Sequence, residues 1–185
     1  MLLLALLVIV FAAVHAMPSY GGIRADLRAR FGRVFWPLYG VLSLLLLAAM
    51  IWAYRHSDPG IVYDVPSWGR HANFALTLLA FLCLGIFLFR GSWRQKLRYP
   101  MAIGVALWAA GHLLANGDGK SLVFFGGLGA AAILQAVLMR GGEERPEPDI
   151  RQGHNFLSIM AGLALYALMT QLHYAITGMP LVELQ

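Results

Sequence analysis

Apolar residues fill this chain in six long runs, separated by short polar connections. The runs cover residues 2–17, 34–54, 71–89, 99–115, 121–139 and 155–176, each close to the roughly 20 residues that cross a bilayer as a helix. A water-soluble helix carries charge along one face, yet none of the nine acidic residues falls inside a run. The pattern predicts an all-α, polytopic transmembrane helical bundle of about six helices, one domain over residues 1–185 with no soluble domain. Proline punctuates it. Pro18 closes the first run, Pro66 lies just before the third, and Pro100 sits at the first turn of the fourth, where a missing N–H costs nothing.

Composition sharpens this reading. Of 185 residues 59% are hydrophobic and 12% charged, against about 25% charged in soluble domains. Every charged side chain falls in a connection or at an end, as a hydrocarbon solvent requires. The net charge of +5 does not point to nucleic acid, because the basic residues are scattered through short loops. Their distribution reads as topology. The first loop holds Arg24, Arg28, Arg30 and Arg33; the third Arg90, Arg94, Lys96 and Arg98; the fifth Arg140, Arg145 and Arg151. The second has only Arg55 and Arg70, the fourth only Lys120. By the positive-inside rule the odd loops are cytoplasmic and both termini face outward. Residues 2–16 lack the positively charged leader of a secretory signal and carry His15 near their end, so they read as a retained helix. The fifth loop includes the charged, proline-containing linker GGEERPEPD at 141–149. Gly126, Gly127, Gly129 and Ala130–Ala132 suit close helix packing in lipid. Cys83 is the only cysteine, which excludes an intrachain disulfide and covalent haem attachment.

With no acid or lysine inside a run, the candidate chemistry rests on histidine. There are six: His15, His56, His71, His112, His154 and His173. Steps of four along the fourth helix put Gly104, Trp108, His112 and Asn116 on one face. Small and aromatic neighbours suit a flat macrocycle against that face; a buried histidine bonded to a neighbouring helix fits the spacing equally. Asn155, Ser158, Gly162, Tyr166, Thr170 and His173 form a second polar stripe, on the sixth helix, and such stripes face the bundle or a cavity. His56 and His71, at the outer ends of the second and third helices, join His112 and His173 at one membrane face. His15 lies in the inner half of the first helix and His154 in the last linker. Zinc and di-iron sites add thiolates or carboxylates, whereas neutral imidazoles in an apolar bundle suit the axial positions of a haem. A proton relay is the rival, although relays in membranes generally include Asp or Glu.

The stretch YPMAIGVALWAAGHLLANGD at 99–118, VHAMPSYGG after the first helix, WGRH at 68–71 and the closing ALYALMTQLHYAITGMPL resemble the NnrU family of bacterial membrane proteins. That resemblance implies a multi-pass protein of the bacterial inner membrane, associated with nitrite and nitric oxide metabolism. The family is related to plant 15-cis-zeta-carotene isomerase, an integral membrane protein whose haem b has histidine axial ligands. By that resemblance the ligands match His15 and His112, and a third implicated histidine matches His56. It implies a non-covalent haem b and, if there is catalysis, cis–trans isomerisation of a lipophilic polyene entering from the bilayer. The competing class is a non-catalytic accessory factor for nitrogen-oxide respiration. One departure stands out: where the family usually has histidine before the proline of the fourth helix, this chain has Tyr99. Counting at 1.5 Å per residue across a 30 Å core leaves His15 and His112 about 9 Å apart in depth, and leaves His56 or His71 as other partners for His112.

Overall fold

The structure, a computed structural model, describes residues 1–17, 21–138 and 149–181. Pro18, Met139, Arg140, Arg145 and the linker up to residue 148 lie outside the described residues.

In chain order the helices are α1 (Leu2–Ala16), α2 (Gly21–Phe31), α3 (Phe35–Arg55), α4 (Gly69–Leu88), α5 (Ser92–Lys96), α6 (Pro100–Ala115), α7 (Gly119–Ser121), α8 (Gly127–Leu138) and α9 (His154–Thr177). A π-helical turn, Leu122–Gly126, joins α7 to α8. Six of these segments occupy the apolar runs. Four stretches, Ala25–Arg55, Gly69–Leu88, Gly119–Leu138 and His154–Thr177, are long and apolar enough to cross a membrane. α1 and α6 are as apolar but have 15 and 16 residues, or about 22–24 Å of helix. The amphipathic α2 and the short α5 are additions that hydropathy alone does not mark. Among the described residues the only β pairing is a single bridge, Ile61 to Asp118.

The bundle is a row that curls on itself. α4 packs between α9 and α6, α6 reaches on to α8, and α1 lies against both α8 and α3. Helices in lipid gain nothing from hiding apolar surface, so they approach where side chains are small. A Cβ at Gly85 would strike the Ser158 carbonyl across the α4–α9 contact, and one at Gly162 would lie 2.8 Å from the Phe81 oxygen. Gly104 faces Ala80 of α4, and Gly129 faces Ala109 of α6. Leu4, Val8, Met50, Ala53, Tyr54, Phe124, Phe125 and Leu128 fill the centre. The outside is just as apolar: Ile9, Leu44, Leu45 and Leu168 are all exposed, an arrangement suited to lipid rather than water.

The start of α1 and the end of α9 lie at the same end of the bundle. The Met1 amino group donates to Ser57 Oγ (3.4 Å), and Arg55 donates to the Ile176 carbonyl (3.3 Å), both at the end of α3. We call this the upper end. Residues 56–68 lie across it: Val62 N donates to the Gly117 carbonyl at 2.8 Å and Gly119 N to that of Gly60 at 2.9 Å.

Candidate functional site

His112 sits one turn below the upper end of α6. Its Nδ1 is bonded to the Trp108 carbonyl at 2.8 Å. That bond assigns the proton to Nδ1 and leaves the Nε2 lone pair as a neutral donor, the tautomer of a metal-ligating histidine. The ring stacks on Phe125, centroids 4.4 Å apart and planes at 22°, with Trp108 at 5.0 Å. The π turn helps make this wall, because it turns both Phe124 and Phe125 into the core. Such turns often mark functional positions in helices. The expected fourth-helix stripe divides accordingly: Gly104 faces α4, while Trp108 and His112 face the aromatic pair.

Three more of the six histidines share the upper end. His56 closes α3, its Nδ1 bonded to the Trp52 carbonyl at 2.8 Å and its ring stacked on Trp52. It is exposed and lines an open groove of about 640 Å³ with Ala48, Ile51, Trp52 and Arg55. His173 is partly buried near the end of α9, its Nδ1 bonded to the Met179 carbonyl at 3.0 Å. His71 is exposed near the start of α4, two residues beyond Gly69, which lies against the Leu114 carbonyl.

His15 is elsewhere. Its Nδ1 is bonded to the Phe11 carbonyl (3.1 Å), its ring stacks on Phe11, and its own carbonyl accepts from Gln135 Nε2 at 2.9 Å. The His112 ring stacks on Phe125, and the His15 carbonyl meets Gln135 ten residues further along the same helical column, roughly 15 Å of backbone. Each imidazole is bonded to the carbonyl four residues before it, on helices that run in opposite directions, so the two rings lean towards each other from those depths. The sequence-based gap of about 9 Å assumed a 30 Å core; α1 and α6 are shorter than that, which places the His15 backbone near the lower end. His154 is there too, accepting from the Arg90 N–H at 3.1 Å.

A family model described as NnrU protein matches residues 3–181. The chain belongs to the NnrU family. No curated protein and no solved structure gives a match. In this NnrU protein the sixth-span stripe is inward over most of its length: Asn155 bonds Ser92, Ser158 and Gly162 are buried against α4, and Tyr166 reaches the Phe74 carbonyl. Tyr99, in the place of the usual histidine, occupies the N-cap position of α6 at the lower end, with the Arg98 guanidinium 5.5 Å from its ring.

Hydropathy misses a second polar group at the upper end. Asp118 caps the Gly119–Leu138 helix, accepting from Ser121 N at 2.8 Å and from Ser121 Oγ at 3.0 Å. Ser121 has then spent its only proton, so the Tyr54 hydroxyl donates to it at 2.8 Å. Lys120, read from sequence as a loop charge, is only 6% exposed, its Nζ 4.9 Å from the Tyr54 ring centroid. An aspartate cap is visible in Asp118, three residues before Ser121; the burial of Lys120 arises from the loop lying across Gly117 and Gly119, which no local pattern announces.

Proposed function

We propose that this membrane protein spans a bacterial inner membrane six times and binds a non-covalent haem b at the upper end of the bundle, with His112 as one axial ligand. The observation that carries the reading is the His112 tautomer: Nδ1 is committed to Trp108 and Nε2 is left to ligate, beside an aromatic wall. The donor set fits haem at this end, where His56 and His173 hold the same tautomer by the same means. His15, matched as the opposing ligand by resemblance, holds the same tautomer, with its ring leaning up from its lower backbone position. The candidates for the opposing ligand are therefore His15 and the upper-end imidazoles His56 and His173.

Bound there, the iron would supply the redox chemistry that eases rotation about a conjugated double bond. The chain's own contribution is placement. The groove along Ala48, Ile51 and Trp52 opens sideways on an apolar face, where a lipophilic polyene can enter from the bilayer. Arg55 and His56 at its head supply the polar edge, and Trp52 supplies a flat surface for a conjugated chain.

The test is the absorption spectrum of detergent-purified protein with pyridine haemochrome analysis. We expect His112→Ala to lose haem and His154→Ala to retain it, with His15→Ala, His56→Ala and His173→Ala identifying the opposing ligand. Equal haem content in wild type and His112→Ala overturns the ligand assignment; loss in His15→Ala supports the pairing that resemblance implies.

A further inference from the structure

We infer that the lower end carries a binding site for one anionic phospholipid, its acyl chain in the groove between α1, α2 and α3 and its phosphate on the arginines of α2 and of the turn that follows. The groove encloses about 180 Å³ and is lined by apolar side chains, among them Val14, Leu27, Phe31, Phe35 and Leu38. That is below the roughly 300–1,000 Å³ of small-molecule pockets, but it suits part of a chain whose remainder stays in the bilayer.

The charge around it selects the headgroup. On a helical wheel Ile23, Leu27 and Phe31 share one face of α2, and Arg28 and Arg30 flank that face on opposite sides. Basic residues on both margins of an apolar stripe mark a helix lying in the plane of the interface. Gly32, with φ of +53°, turns the chain sharply between α2 and α3, so α2 lies against the ends of the spans instead of continuing α3. Arg33 follows that turn. Arg28, Arg30 and Arg33 are exposed, and Arg28 is held 5.7 Å from the Trp36 ring centroid. Against these three arginines the segment sets a single carboxylate, Asp26. A zwitterionic headgroup would gain little from this excess, whereas a phosphodiester with net negative charge is complementary to it.

Native mass spectrometry of the full chain, with phosphatidylglycerol and phosphatidylcholine of matched acyl chains in competition, tests the site. We expect phosphatidylglycerol to be retained preferentially. Arg28→Gln, Arg30→Gln and Arg33→Gln should each lower that preference by about fivefold, the ratio equivalent to roughly 1 kcal/mol per basic residue near an anionic surface. Leu38→Trp, which fills the groove and leaves the arginines in place, should lower retention of both lipids. Equal retention of the two lipids by the wild type overturns the inference, and that comparison stands even if a variant fails to fold. Inorganic phosphate binding as tightly as the lipid, with Leu38→Trp without effect, overturns it as well, by reducing the site to an anion contact.

Discussion

At Tyr63 one phenol proton is shared between two carbonyls left over by the end of α6, those of Leu113 and Asn116. Terminal carbonyls need such partners, and here a loop residue supplies one from across the upper end. Burial, then the nearby Asp118 carboxylate, pushes the Tyr63 phenol above its ordinary value. A group whose pKa is raised on folding contributes stability below its unfolded value and loses it as pH climbs through the folded one. We therefore expect thermal stability in detergent to fall above about pH 10, the ordinary tyrosine value, and the Tyr63→Phe variant to show a shallower decline; identical profiles would remove Tyr63 from the account. A second residue pair separates cap from network. Tyr54→Phe removes one donor and leaves Ser121 bonded to Asp118, so it should cost about 1 kcal/mol. Asp118→Ala strips both the helix cap and the Ser121 acceptor, and should cost roughly 2 kcal/mol or more. Thermal unfolding of the two variants, read by circular dichroism, ranks them.

Between helices the decisive feature is how little room there is. Gly85→Ala should destabilise by about 1–3 kcal/mol, as overpacking does, because its new methyl meets the Ser158 backbone rather than a side chain that can move. Gly40 is the control: it lies inside α3 with nothing within 4 Å of a Cβ, so Gly40→Ala should be neutral or stabilising by up to about 1 kcal/mol. Thermal midpoints of both variants in one detergent check the opposite signs. The same contrast explains what was legible. The spans could be read because hydrocarbon tolerates neither charge nor unpaired backbone, so residues 34–54 and 155–176 had few alternatives to the helices Phe35–Arg55 and His154–Thr177. Small residues on α8 could be read as packing, and Gly129 against Ala109 is that packing. The partner of each glycine could not be read, since many faces accept one. Nor could the π turn, which depends on what Phe124 and Phe125 meet, or the short helix α2, whose polar half resembles any basic loop.

For the molecule as a whole, the observation that governs orientation is that both described ends of the chain are at the upper end, tied to the last residues of α3 through Ser57 and Arg55. Which side of the membrane that is follows from charge. Among the described residues the connections at the lower end contribute nine Lys and Arg, those at the upper end three, and Lys120 of those three is buried. Basic residues in short loops tend to stay cytoplasmic, so we expect the upper end, with His56, His71, His112 and His173, to face outward and the arginines of α2 to meet the cytoplasmic leaflet. Alkaline phosphatase fused after residue 181 should be active and a fluorescent protein there dark, while fusions in the loop around residues 92–98 should give the reverse. Activity at both positions would mean an even number of spans between them and would break the bundle into a different topology. The reverse pattern at both would keep the fold intact and turn it over, moving the histidines to the cytoplasmic face and the arginine-lined groove to the outer leaflet.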